Sequence, residues 1–112
     1  MKHTVSLKGN RAFRRMYAKG KSAASSTVVL YCRHNGSAEN RLGLTVGTKV
    51  GKAVRRNLIR RRLREIYRLH EAQLRRGWDI VAVARTKAAE APYRELEADF
   101  LRAASKLNLL RP

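Results

Sequence analysis

The chain has 112 residues, 26 Lys and Arg against 8 Asp and Glu, and a formal net charge of +18. Its 44% hydrophobic content is enough for a core and excludes a wholly disordered basic tail. No apolar run approaches the roughly 18 residues of a membrane span, and the first residues lack the apolar core of a signal peptide. The single cysteine, Cys32, excludes an internal disulfide and fits a reducing cytoplasm.

The N-terminal half is predicted to contain one helix and two or three strands. Residues 10–20 form an amphipathic pattern that Asn10 can cap and that Gly20 can end in the left-handed conformation. Residues 22–26 indicate a loop or a short edge strand. Residues 27–33 and 41–47 have strand patterns separated by an Asn-Gly turn signal, so we expect an antiparallel hairpin.

The C-terminal half is predicted to alternate helix, strand and helix. Residues 52–76 hold the longest helical pattern, which Gly77 closes. Residues 78–85 are almost all apolar and indicate a central buried strand. After a loop at 86–91, Pro92 suits a first helical position, and residues 93–107 follow with core spacing. The order predicts an α+β fold with one layer of helices on a small mixed sheet, and 112 residues suit a single domain.

Catalytic groups are scarce. Glu39 is the only acid before Glu65, so no carboxylate cluster can hold the metal ions of a protein nuclease there. The later acids Glu90, Glu95, Glu97 and Asp99 fall on a predicted surface helix, where we expect a solvated face. The histidines have no zinc-ligand spacing to Cys32, and no nucleophile motif is present. We therefore expect no catalytic residue and no protein-bound metal or cofactor.

The positive charge is concentrated in the first part of the chain. Residues 1–64 contain 17 basic residues and one acid, a net charge of +16, whereas residues 65–112 contain 9 basic and 7 acidic residues. Such an imbalance is self-repulsive without a polyanion. Nucleic acid is the expected partner, ahead of a membrane surface or an acidic protein.

The long helix separates apolar and basic side chains. At about 100° per residue, one face should enter the core: Ile59, Leu63, Ile66, Tyr67, His70 and Leu74. A second face carries a set that we call the basic stripe: Asn57, Arg60, Arg61, Arg64 and Arg68. Arg62 lies apart from the stripe. The helical spacing places Arg56 on the core side, although its long side chain can turn outward to solvent. The stripe spans about 17 Å, enough to follow several phosphates.

The many arginines of this helix are poorly explained as a solvent-exposed face stabilised by ion pairs. Seven basic residues and no acid lie between Lys52 and Arg64, so no ion pair forms within that segment. Arg predominates, and its planar fork suits phosphate contacts and stacking. Phe13, Tyr17 and Tyr31 suit either core packing or a platform for unpaired bases. We expect His70, Trp78 and Cys32 to pack in the core.

Three segments resemble the bacterial ribonuclease P protein component. They are residues 43–65, which contain Gly-Leu-Thr-Val and the run Lys-Val-Gly-Lys-Ala-Val-Arg-Arg-Asn, residues 13–20, and residues 78–85. The resemblance runs from about Leu7 to Leu107. Two positions depart from the family pattern, since Leu58 replaces a basic residue and Thr48 precedes Lys49 where paired lysines are usual. A contact from position 58 therefore does not carry over.

The resemblance implies a four-stranded sheet with three helices and a left-handed crossover through the long helix. It implies binding to a catalytic RNA that uses magnesium to free the 5′ end of precursor tRNA in the bacterial cytoplasm, with no membrane or DNA partner. The leader would lie between the first helix and the sheet, against Phe13, Tyr17 and Tyr31. The RNA-facing helix would contribute Arg56, Asn57, Arg60, Arg61 and Arg64. To these we add Lys52 and Arg68, with support from Lys49, Arg14 and Lys19.

Two classes of function fit these residues. One is the protein subunit of a ribonucleoprotein endonuclease; the other is a non-catalytic RNA-binding protein, such as a ribosomal protein or an RNA chaperone. Only the first needs a cleft for a leader, so accessible aromatic side chains favour it. A DNA-binding architectural role ranks third because no DNA-docking motif is present.

We predict strongly salt-dependent RNA binding, because the net charge of residues 1–64 is +16. If six to eight phosphates are neutralised, the logarithm of affinity should fall against the logarithm of salt concentration with a slope of about −4 to −7. Filter binding across a salt series measures this slope. A slope shallower than about −2 would contradict phosphate binding along the stripe.

Overall fold

The computed structural model describes residues 1–112 and contains five strands and three helices, in the order strand, helix, three strands, helix, strand, helix. The strands are β1 (Thr4–Ser6), β2 (Lys21–Ala24), β3 (Val28–His34), β4 (Asn40–Thr45) and β5 (Trp78–Ala84). The helices are α1 (Asn10–Lys19), α2 (Ala53–His70) and α3 (Tyr93–Lys106), with short 3-10 turns at Thr48–Val50, Glu71–Gln73 and Thr86–Ala89. No helix is long and apolar enough to cross a membrane.

The predicted α+β class is confirmed, but the expected four strands and the helix-first order are wrong. The chain begins with β1, which pairs in parallel with β4 and makes the sheet five-stranded. Three residues are too few to show an alternating pattern, so β1 left no periodic signal. The short edge strand considered near residues 22–26 is present as β2, which pairs with β3.

The strand order is β1-β4-β5-β3-β2. The expected hairpin between β3 and β4 is wrong, because β5 lies between them, antiparallel to β3 and parallel to β4. The backbone of this apolar strand is thereby hydrogen-bonded to a neighbouring strand on both sides. Two asparagines fix its start: the Trp78 amide donates to Asn40 Oδ1 at 2.9 Å, and Asn35 Nδ2 donates to Asp79 Oδ1 at 3.0 Å. The left-handed sense of the β4-α2-β5 crossover stays a prediction.

The two faces of the sheet are covered unequally. Leu30, Ile80 and Ala82 belong to the main core with Ile59 of α2 and Phe100 of α3, all at most 1% exposed. Alternation along the strands turns the intervening side chains to the other face, which α1 and the preceding Leu7 cover. There, a smaller cluster joins Val81 to Leu7 and Met16, with Phe13, Tyr31 and Val83 partly buried around it. This second face is therefore only partly closed.

Several predicted helix ends are wrong. Gly9 caps α1 at φ 94°, so Asn10 is helical rather than the cap. Gly20 has an extended backbone, at φ −75°, because β2 starts at the next residue. A glycine is still required there, since a Cβ would lie 2.7 Å from the Met16 carbonyl oxygen. Helix α2 ends at His70, where a 3-10 turn replaces the predicted continuation to residue 76. Pro92 precedes α3 as its cap.

Asp99 is buried, so the expected solvated face of the last helix is wrong at this position. Its side chain accepts hydrogen bonds from the Thr27 amide at 3.0 Å and from Thr27 Oγ1 at 2.6 Å, and Arg102 pairs with its other oxygen. This carboxylate ties α3 to the start of β3.

The three residues expected in the core differ in outcome. Cys32 is buried as expected, and burial raises the pKa of its thiol against the opposing effect of Lys21. His70 lies at the edge of the core, where its Nε2 and Glu97 Oε2 are 2.8 Å apart. Trp78 is half-buried, with the exposed His34 ring packed edge-on against it.

Glu71 attaches the N-terminus to the end of α2. Its carboxylate accepts hydrogen bonds from the Lys2 amide at 2.8 Å, the His3 amide at 3.1 Å and Thr4 Oγ1 at 2.6 Å. Burial raises the pKa of this carboxyl, but the hydrogen bonds and the positive N-terminus outweigh burial, so the pKa lies below its ordinary value. The ionised form of Glu71 therefore stabilises β1 against the rest of the sheet.

Glu71→Gln should lower the free energy of unfolding at neutral pH by about 1–3 kcal/mol, because an amide cannot accept all three hydrogen bonds. The stabilisation that ionised Glu71 provides is fully present above the ordinary carboxyl pKa of 4.5, which applies in the unfolded chain. It is lost as the pH falls through the lower pKa of Glu71 in the folded protein. Urea unfolding at several pH values should show less acid sensitivity in the variant. The exposed Glu39→Gln is the matched control, and equal stability of the two variants would contradict the role of Glu71.

Candidate RNA-binding interface

Helix α2 presents its apolar and basic sides as predicted. Ile59, Leu63, Ile66 and Tyr67 are fully buried against the sheet and α3. Asn57, Arg61, Arg64 and Arg68 are exposed, while Arg60 is half-buried beside the end of β4. Amphipathic spacing alone was sufficient to place this face because α2 is long and regular.

Members of the basic stripe differ in how far the protein neutralises them. Arg61 and Arg64 form no hydrogen bond or ion pair, whereas Arg60 donates to Asn57 Oδ1 at 3.0 Å. Arg68 pairs with Glu65 one turn earlier, and this hydrogen bond raises the pKa of its guanidinium. The uncompensated charge of the stripe is therefore greatest near Arg61 and Arg64.

The segment that leads into α2 adds exposed cations at the N-terminus of the helix. Lys49 and Lys52 are exposed there, on either side of Gly51, which has φ 153°. Arg56 is half-buried and its Nε is buried without a hydrogen-bond partner. Leu58 is half-buried in a hollow with Val50 and Ala89, outside the stripe. The departure from the family pattern at position 58 therefore coincides with an apolar contact.

Three aromatic side chains form a continuous row between α1 and the sheet. Phe13 lies on Gly43, where a Cβ would stand 2.7 Å from the ring, so glycine is required for this contact. The Tyr17 ring lies 6.4 Å from Phe13 and 5.0 Å from Tyr31, centre to centre. Tyr17 is 41% exposed, and its hydroxyl forms a 2.8 Å hydrogen bond with Thr45 Oγ1. We call Phe13, Tyr17 and Tyr31 the aromatic row.

Position on α1 decides between core packing and an accessible platform. Met16 is the buried residue of α1, at 2% exposure, whereas its neighbour Tyr17 stays accessible and Phe13 and Tyr31 are half-buried. Arg14 and Lys19 are exposed on the same helix. The aromatic row can therefore offer ring surface to a ligand while it remains anchored on the sheet.

A cavity of about 210 Å³ lies between Phe13, at one end of the aromatic row, and the Arg60 and Arg64 side chains of the basic stripe. Phe13 and Gly43 line one side of it, and Arg60 and Arg64 line another. Residues 4–7 of the N-terminal segment complete its wall. Sequence patterns did not reveal this wall or the Thr45 partner of Tyr17, since both depend on contacts distant in sequence.

The acidic, histidine and cysteine side chains do not gather into a metal site. No group of three or more of them is arranged to hold a metal ion. Polar and aromatic surface beside unpaired arginines is suited to binding a nucleic-acid strand.

Comparison with known proteins places these features in a family. The family model described as Ribonuclease P matches residues 1–108. The chain is 41% identical over 110 residues to the ribonuclease P protein component of Alkaliphilus oremlandii, covering 98% of this chain and 96% of the relative. It is 40% identical over 111 residues to that of Natranaerobius thermophilus, with coverage of 99% and 96%.

Solved structures of similar sequence share the fold. The RNase P protein of Staphylococcus aureus superimposes with a TM-score of 0.87 at 30% identity, covering 95% of this chain and 97% of that one. The RNase P protein of Thermotoga maritima gives a TM-score of 0.80 at 33% identity, with coverage of 87% and 92%.

The double variant Arg61→Gln with Arg64→Gln should weaken binding to a ribonuclease P RNA transcript by about 1–3 kcal/mol and make the salt slope shallower. Its melting temperature should hold or rise slightly, since like-charge repulsion is relieved. A control of equal charge is Lys87→Gln with Arg94→Gln, at exposed positions outside the stripe. Equal RNA affinities for the two double variants, or a collapse in melting temperature, would refute the assignment.

Proposed function

Since the chain belongs to the ribonuclease P protein family, we propose that it is the protein subunit of a ribonucleoprotein that frees the mature 5′ end of tRNA. A catalytic RNA would supply the cleavage chemistry and its bound magnesium. The protein would contribute binding surface: the basic stripe for RNA phosphates and the aromatic row for the 5′ leader of precursor tRNA. We place this activity in the bacterial cytoplasm and treat residues 1–112 as one RNA-binding domain.

The continuity of the aromatic row with the basic stripe carries this proposal. A leader is single-stranded, so its bases are free to stack on aromatic faces while its backbone requires cations. The cavity between Phe13 and Arg64 offers both kinds of contact within one groove. A protein that bound only folded RNA would need the cations without accessible tyrosines.

The aromatic row and the basic stripe would contact different parts of the leader. Tyr17 and Tyr31 would stack on leader bases, with Tyr17 held in place by Thr45. Arg60 and Arg64 would contact the adjoining phosphates, and Lys49, Lys52, Arg56 and Arg61 would continue the cationic path along α2. Such positioning lowers the cost of bringing the scissile bond to the RNA active site. We also propose the left-handed crossover implied by the family resemblance for the β4-α2-β5 unit.

Tyr17→Ala tests whether the aromatic row binds the leader. In the assembled complex it should reduce affinity for precursor tRNA by about ten-fold or more, because stacking on one base contributes about 1–3 kcal/mol. Affinity for mature tRNA, which has no leader, should change little, and binding to the catalytic RNA should be retained. Competition binding and cleavage at limiting magnesium measure the three quantities.

Tyr17→Phe is the matched control, since it keeps the ring and removes only the hydrogen bond to Thr45. It should stay within a few-fold of the wild type, at the modest net value of one exposed hydrogen bond. Equal losses for precursor and mature tRNA with Tyr17→Ala, together with a large fall in melting temperature, would show that Tyr17 is structural instead.

A further inference from the structure

A second arginine cluster lies outside both surfaces described above. Arg75 and Arg76 follow the 3-10 turn after α2, and Arg111 lies near the end of the chain. Together with His34, Trp78 and Pro112 they border an open hollow of about 690 Å³, whose lining contains no Asp or Glu side chain. We call Arg75, Arg76 and Arg111 the arginine cluster.

The fold holds this cluster in place. The Arg75 amide donates to the Leu109 carbonyl at 2.8 Å, and the Arg111 amide donates to the Gln73 carbonyl at 2.7 Å. Between these bonds, Leu74 and Leu110 form an antiparallel bridge. Arg75 Nε also donates to the Asn108 carbonyl at 2.9 Å, which leaves its terminal nitrogens free. These bonds hold the backbones of Arg75 and Arg111 side by side, so their like charges are brought to one surface.

None of the three arginines has a carboxylate partner. Arg76 contacts only the His3 ring nitrogen, at 2.6 Å, and Arg111 reaches the Ala72 carbonyl at 3.5 Å. The nearest acid along β5, Asp79, is already engaged by Arg41 and Asn35. The charge of the cluster therefore remains available to an anionic partner.

Aromatic surface lies directly beside these cations. Trp78 is half-buried, and the exposed His34 ring meets it edge-on with centroids 5.2 Å apart. Base stacking on such rings, with phosphates on nearby guanidinium groups, is how proteins bind unpaired nucleotides. An acidic peptide would use the cations but would have no need of the rings.

The cluster is separate from the leader groove. Tyr17 reaches the sheet at Thr45, which pairs with Val83, five residues along β5 from Trp78. At about 3.3 Å per residue the two sites lie about 16 Å apart along the strand. A strand seated on the aromatic row would therefore need several more nucleotides to reach the arginine cluster.

We propose that the arginine cluster is a second RNA-binding site, which takes the phosphates around an unpaired nucleotide of the catalytic RNA and stacks its base on the exposed His34 ring, which Trp78 supports edge-on. The proposal rests on the proposed function as a ribonuclease P subunit. It adds a contact at the opposite end of α2 from Lys52, so the catalytic RNA would hold the protein at two separated points.

The test is Arg76→Gln with Arg111→Gln, compared with the control Lys87→Gln with Arg94→Gln. Arg75 is left intact because its Nε donates to the Asn108 carbonyl at 2.9 Å, whereas Arg111 is 3.5 Å from the Ala72 carbonyl. Affinity for a ribonuclease P RNA transcript should fall about ten-fold in the first variant and less than about two-fold in the control, and the salt slope should become shallower by about 1.5. His34→Ala should reduce affinity about five-fold with an unchanged melting temperature.

Affinity equal to that of the control would overturn the site, as would a loss confined to precursor tRNA in the assembled complex, which would assign the cluster to the substrate. The proposed function fails in a different way. If it is wrong, the wild-type chain will not prefer ribonuclease P RNA over an unrelated structured RNA of equal length.

Discussion

Strand β5 is hydrogen-bonded to β4 on one side and to β3 on the other, and this pairing determines where the functional side chains lie. Because β5 is parallel to β4, the chain must return across the sheet between them, and α2 makes that return. The longest basic segment is thereby placed along the β4 side, where Arg60 lies near Val46. The same pairing sets Tyr31 and Thr45 on one face, within reach of Tyr17.

Unequal covering of the sheet turns this scaffold into a binding surface. Two helices cover one face, while the other is covered only by α1 and Leu7. Close contact of Phe13 with Gly43 holds α1 near the sheet and leaves room beside it. Cations that would destabilise an isolated chain border that room, so an RNA strand can relieve their repulsion as it binds. Only three ion pairs between arginine and a carboxylate form in the whole chain.

Long, regular elements were predictable from sequence, whereas pairings between distant residues were not. The buried face of α2 followed from spacing alone, since Ile59, Leu63 and Ile66 recur at the helical period. The hairpin expected for β3 and β4 failed because proximity in sequence and a turn signal say nothing about a third strand that inserts later. Asp99 and Glu71 were hidden for the same reason, as their partners Thr27 and Thr4 lie about 70 residues away.

The features of the candidate site also separate into those predictable from local sequence and those that depend on tertiary contacts. Composition and the Arg-rich helix indicated a polyanion, and the family resemblance supplied the leader groove and its aromatic residues. The wall formed by β1, the support of Tyr17 by Thr45 and the arginine cluster all arise from tertiary contacts. Local pattern therefore predicted the chemistry of the surface, while the strand order decided which parts of it are continuous.

Photo-cross-linking tests the central claim most directly, namely that the leader lies between α1 and the sheet. Precursor tRNA with 4-thiouridine at single leader positions would be irradiated in the assembled complex, and the attached peptides identified by mass spectrometry. The account predicts cross-links to peptides that contain Phe13, Tyr17 or Tyr31, suppressed by competing precursor tRNA at lower concentrations than by mature tRNA, which lacks the leader contacts. Leader cross-links confined to α3, on the opposite face of the sheet, would contradict it.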